Sequence, residues 1–270
     1  MWHFTMTEAC CRQGACSKQR PMRYRLLGRP EREIAGTPDI TSVLGAERQL
    51  GDTGIVLLDT PDPLCLAASL FSMEEFTVVA MTEQNLFRQA LDRCARAILP
   101  RVQAAAQALP GRLWRIYGPE YASPPCLPPS LFHDYVVSYD AAIIRAIQAS
   151  GGFARVHSHG NLKAIIGDIS ATGCDGLDPI EPPPQGDVEL AWVRQNHGRD
   201  TVLFGNIEIS DIENLPTPDF RGKVVRAIKE GTSGSGRGFV LMPSACPYGR
   251  VLSPLCMRNY EAMIDVIEHL

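Results

Sequence analysis

The sequence predicts an α/β fold: a (β/α)8 TIM-type barrel, incomplete at its N-terminal strands. Three observations lead there. Between residues 54 and 270, short apolar runs alternate with amphipathic segments, the pattern of parallel strands joined by helical crossovers. Six such units follow one another. None opens on a glycine-rich nucleotide turn, so a barrel fits better than a doubly wound sheet.

Residues 1–36 are polar and basic without periodicity, which predicts a loosely ordered or mis-started extension ahead of a barrel over 37–270. A short helix is expected from Pro38 to Leu50. Gly54–Leu58 reads as the first strand, followed by a turn over Asp59–Pro63. Helical spacing of Leu86, Phe87, Ala90, Leu91, Cys94 and Ile98 marks a helix from Glu83 to Leu109, which Pro100 should kink or break. Gly111–Tyr117 is the next strand, Ser130–Ser150 a helix, and Gly152–Val156 a strand that ends in His157-Ser158-His159. Leu162, Ile165, Ile166 and Ile169 form one face of another helix. The pattern then repeats as a short strand and mouth loop over Gly176–Glu181, helix Val188–His197 and strand Thr201–Asn206. Next come a helix from Thr217, with that threonine as N-cap, to Ile228, and a last strand, Gly238–Pro243. Ser253-Pro254 opens the final helix.

Composition limits the functions open to the chain. At 270 residues it can bury a large core, and its 45% hydrophobic and 21% charged content is ordinary for a globular protein. A formal net charge of -4 argues against nucleic acid or an anionic membrane as partner. No apolar run nears the roughly 20 residues of a membrane span, and the first residues lack the order of a secretory signal, so a cytoplasmic protein is expected. Nine scattered cysteines do not form a disulfide framework. The trio Cys10, Cys11 and Cys16 lacks the spacing and the fourth ligand of a metal knuckle.

In a barrel, reactive groups gather where strands end. Those ends carry Glu120, His157 with His159, Glu181, Asn206 and Cys246. Residues two apart on a strand share a side, so both imidazoles would face one pocket. Two imidazoles, the carboxylate of Glu181 and the thiolate of Cys246 make a tetrahedral zinc set. Each residue also has a plain structural role open to it. Glu181 can solvate a proline-rich loop, Cys246 can be packed in a core, Glu120 can bind loop amides, and Asn206 suits a turn. The run Gly231–Gly238 reads as a connector rather than a phosphate cradle.

The pieces Gly118-Pro119-Glu120-Tyr121-Ala122-Ser123, His157 to Gly160, Gly205-Asn206-Ile207, and the last strand leading to Asn259-Tyr260 together resemble the uroporphyrinogen decarboxylase superfamily over roughly four fifths of the chain. The nearest likeness is to its corrinoid-linked methyltransferases and the related cobalamin-independent methionine synthases. In that branch His-x-Cys-Gly and a later cysteine bind zinc, which activates a thiol. By resemblance His157 takes the first ligand position, His159 replaces the first cysteine, Cys246 is the later cysteine, and Glu181 matches the carboxylate ligand of the methionine synthases. The resemblance implies a zinc-activated small-molecule thiol that accepts a methyl group from a methylcorrinoid, free or carried on a corrinoid protein. Glu120 would orient or deprotonate the acceptor.

Three other readings compete. A metal-free tetrapyrrole decarboxylase of the same superfamily needs a cleft with several arginines, and only Arg112, Arg115 and Arg155 lie near the relevant strands. Metal-assisted hydrolysis needs further histidines downstream, where His197 and His269 are poorly placed. A non-catalytic remnant of a barrel would pair its open edge with another subunit, giving a homo-oligomer.

Overall fold

The computed structural model describes residues 38–269, so the expectations for residues 1–36, including the three early cysteines, lie outside the described residues. The chain forms two compact units. Unit 1 comprises the described residues up to His157 together with Ile165–Cys174, and unit 2 comprises Ser158–Ala164 and the described residues from Asp175 onward.

Unit 1 runs α1 (Thr41–Leu50), β1 (Leu57–Pro61), α2 (Pro63–Ala68), α3 (Met73–Thr82), α4 (Gln84–Ala108), β2 (Leu113–Tyr117), α5 (Pro129–Phe132), a π-helical stretch His133–Val137, α6 (Ser138–Gln148), β3 (Phe153–His157) and α7 (Ile166–Ala171). β1 pairs in parallel with β2, and β2 with β3. Its core is aromatic at one point. The Phe87 ring packs tilted against Phe76 and Tyr135, with centroids 5.7 and 5.0 Å apart, and the buried Tyr135 hydroxyl donates to Ala80 O at 2.7 Å.

Two expectations for this unit are corrected. β1 lies later than the apolar run Gly54–Leu58 and includes Asp59, Thr60 and Pro61. The polar residue is accommodated because Arg115, its register partner on β2, binds the Asp59 carboxylate through both Nε and Nη2 at 2.9 and 2.5 Å. Pro100 does not break α4. The helix continues through it, with Phe87, Leu91 and Ile98 buried before the proline and Val102 and Ala106 after it, so packing of one face outweighs the lost backbone hydrogen bond. The helix α3 went unpredicted, although its capping box of Ser72 and Glu75 is a local sequence signal.

Unit 2 runs β4 (Gly176–Asp178), α8 (Leu190–His197), β5 (Val202–Ile207), α9 (Ile209–Asn214), α10 (Thr217–Gly231), β6 (Phe239–Pro243) and α11 (Pro254–Glu268). β5 pairs in parallel with β4 and β6. Thr217 is not the N-cap expected of it. Pro216 holds that position, and the threonine hydroxyl donates to Asn259 Oδ1 at 2.8 Å. The Asn259 amide in turn donates to Ile212 O and Leu215 O, at 3.0 and 2.9 Å, and is fully buried. One side chain thereby ties α9, α10 and α11 together. The connector before β6 is held by Arg194, whose Nε donates to Ser233 O at 2.9 Å and whose Nη1 donates to Arg237 O.

The described residues thus hold six strands in parallel pairs, alternating with helices, two fewer than a closed (β/α)8 barrel requires. Among the described residues, no helix is long and apolar enough to cross a membrane.

Candidate active site

The strand ends carry chemistry in both units. In unit 2 the exit from β4 brings Glu181 to His159. The carboxylate Oε1 lies 2.8 Å from His159 Nδ1, and Oε2 accepts the Gly160 backbone N–H at 3.1 Å. The Glu181 side chain is 13% exposed and that of His159 is 35% exposed, so the pair is sheltered but reachable. With Glu181 ionised, the proton sits on Nδ1 and the lone pair of Nε2 points away from the carboxylate, the arrangement found when a carboxylate orients a metal-binding histidine.

β3 ends at His157, which stands opposite Tyr117 of β2. His159 therefore lies beyond the strand, and the alternation rule that would place both imidazoles on one side does not reach it. The chain turns away because Ser158, fully buried, donates its N–H to Asp178 O at 2.9 Å. His157 belongs to unit 1 and His159 to unit 2.

β5 delivers Asn206, half-buried, one residue before its end. The approach of β5 to the β4 exit depends on Gly205. Its φ is +151°, and a Cβ there would strike Pro179 O. Two residues after Asn206 stands Glu208, which the sequence reading missed. It is 5% exposed, and its Oε1 has no hydrogen-bond partner among the described residues. Burial, and then the charge of Glu181, push its carboxyl above the ordinary range, against a hydrogen bond from Ser244. The available signal was a second polar residue two places beyond Asn206 at a strand end. Cys246 follows β6 on an exposed loop. Among the described residues, no group of three or more His, Cys, Asp or Glu side chains is arranged to hold a metal ion.

Unit 1 gathers carboxylates instead. Asp62 follows β1 and caps α2, accepting the Cys65 N–H at 2.6 Å. Glu120 follows β2 and accepts the Gly118 N–H at 2.8 Å, the loop-amide role open to it from the sequence. Asp140, on α6, was not anticipated by the sequence reading. Asp62 and Asp140 are wholly buried. Burial raises both carboxyls well above the usual carboxylate range. The charges of Asp140 and Glu120 add to this at Asp62, and that of Glu120 at Asp140. Tyr117 is pushed up to about 12, first by burial and then by Cys65. The three arginines that a carboxylate-binding cleft would use are placed elsewhere. Arg112 is paired with Glu47 at 3.0 Å, Arg115 with Asp59, and Arg155 is 7% exposed.

No curated protein matches this chain. Among solved structures, a methyltransferase from Methanosarcina mazei is similar with a TM-score of 0.64 and 19% identity, covering 88% of this chain and 68% of that one; the likeness is one of fold. The family model for uroporphyrinogen decarboxylase (URO-D) matches residues 48–269. That match spans most of the chain and agrees with the alternating parallel architecture, so this chain belongs to the uroporphyrinogen decarboxylase (URO-D) family.

Proposed function

We propose that the protein is a methyltransferase of this family, in which a zinc-bound small-molecule thiol accepts a methyl group from a methylcorrinoid. The observation that carries this reading is the His159–Glu181 pair, in which the carboxylate holds the imidazole by Nδ1 in one orientation. Imidazole and thiolate are the donors zinc prefers, so the donor chemistry of His159 and Cys246 suits the ion. Zinc bound there would supply a lowered thiol pKa and hold the acceptor as thiolate. Glu181 orients His159 and keeps its tautomer. Glu208, buried beside Glu181 with one oxygen unpartnered, is placed to take the proton that the thiol loses. Asn206, at the end of β5, is suited to orienting substrate.

The same geometry disfavours tetrapyrrole decarboxylation. A substrate with many carboxylates needs available cations, but Arg112 and Arg115 are paired, Arg155 is buried, and the unit 1 strand ends are themselves acidic.

The test is zinc content by elemental analysis of untagged protein, for wild type and for His159→Ala and Cys246→Ala. It is followed by an assay for thiol methylation with methylcobalamin. About one zinc per chain, lost in the variants and accompanied by methyl transfer, is the expected result. Protein that stays metal-free after expression with added zinc would overturn the mechanism.

A further inference from the structure

The acidic cluster of unit 1 is not used by the zinc chemistry, and its composition is unusual. The charged neighbours that act on Asp62 are Asp140 and Glu120, so carboxylates surround a carboxylate. Asp62 Oδ2 and both oxygens of Asp140 are buried and have no hydrogen-bond partner among the described residues. Buried acceptors without donors are costly, and a fold retains them where something else supplies the donors.

The surroundings suggest which donor. The cluster is built by elements that pack on one another: α2 packs against the short turn Pro119–Tyr121 and against the π-helical stretch that leads into α6. Gly118 lets this turn close over Asp62. A Cβ on it would land on Asp62 Oδ1 and 2.6 Å from Cys65 Cβ, and its φ is +127°. Cys65, Tyr117, Glu120 and Tyr121, all half-buried, are neighbours of Asp62, and Glu120 acts on Asp140 as well, so the buried carboxyls have a partly exposed rim. The Tyr121 ring is fixed edge-on to Phe76 at 5.8 Å. Carboxylate oxygens lacking donors, beneath an aromatic rim, complement a cation that carries N–H groups and a short apolar body. A quaternary ammonium could not satisfy the floor, because it has no proton to donate.

We propose that Asp62, Asp140 and Glu120, with Tyr121 at the rim, form a recognition site for a small protonated alkylamine. The ammonium donates to Asp62 Oδ2 and to Asp140, and the alkyl part lies against the tyrosine. The site is complete within unit 1 and stands apart from the zinc reading.

The experiment uses n-butylammonium chloride as probe on the full chain in the presence of a chelator, so that failure of the zinc proposal cannot affect it. Binding is followed by calorimetry and by the shift in melting temperature, with n-butanol as neutral counterpart and potassium chloride for bare charge. Wild type is expected to bind n-butylammonium and to respond to neither control. Asp140→Asn, which caps no helix, and Asp62→Asn, which keeps an oxygen for Cys65 N–H, should each weaken binding about tenfold or more. Circular dichroism shows that each variant is folded. An equal response to n-butanol or potassium chloride, no binding by wild type, or undiminished binding by folded Asp140→Asn would overturn the proposal.

Discussion

His159 and Glu181 are joined by a 2.8 Å contact between Nδ1 and Oε1, while the second carboxylate oxygen is held by the Gly160 amide. Both oxygens are thus committed, and the imidazole is clamped in one orientation. Glu181→Gln keeps the size and loses the charge that fixes the tautomer. If His159 is a zinc ligand, this variant should bind zinc about 10–100-fold more weakly while folding normally. Competition with a chromophoric chelator measures the ratio, and an unchanged affinity would remove Glu181 from the site.

The turn after β2 depends on a residue without a side chain. Gly118→Ala would place a methyl group on Asp62 Oδ1 and Cys65 Cβ, in a backbone conformation that L side chains rarely adopt. A loss of more than about 2 kcal/mol in urea unfolding is expected. A smaller loss would mean that the loop can move off α2.

Asp59 and Arg115 form the buried ion pair between β1 and β2, with side chains 5% and 20% exposed. Removing one partner deprives a sheltered charge of its two-point counterion. Asp59→Ala should therefore cost about 3 kcal/mol. The double variant Asp59→Leu with Arg115→Met should recover most of it. Failure of the double variant to exceed the single one would show that the pair does more than neutralise itself.

The pH dependence of stability follows from Asp62 and Asp140, whose folded-state carboxyls burial raises well above the usual aspartate value of about 3.9. The folded chain therefore holds more protons than the unfolded chain once the pH passes that value. Their effect is absent below it, and stability falls as pH rises through the window up to the raised folded values. Asp140→Asn, which cannot ionise, should be more stable than wild type by upwards of about 1 kcal/mol near neutral pH, with the gap closing below pH ~4. Urea midpoints of both proteins against pH measure it. A gap that is constant with pH would show that Asp140 is not the titrating group.

The capping box of α3 offers a local check. Ser72 Oγ accepts the Glu75 N–H at 3.2 Å, and the Glu75 carboxylate accepts the Ser72 N–H at the same distance. Ser72→Ala should lower stability by about 1 kcal/mol. Thermal unfolding with no change would indicate that α3 is held by Phe76 and Val79 alone.

The sequence by itself determined the alternation of strands and helices, because burial on both faces of a parallel strand and on one face of a helix leaves different periodicities. It also located most strand ends, and so Glu120, His157, Asn206 and Cys246 were found at or just beyond them. Tertiary structure decided what local pattern cannot encode. Arg115 made Asp59 acceptable within β1, and packing on both sides of Pro100 carried α4 through a helix-breaking residue. The Ser158 contact to Asp178 ended β3 at His157 and gave His159 to Glu181, 22 residues away. Asp140 and Glu208 were invisible for the same reason. A buried acid on a helix or past a strand looks like any surface carboxylate until the chain folds around it, and only then do burial and neighbouring charge give it chemistry of its own.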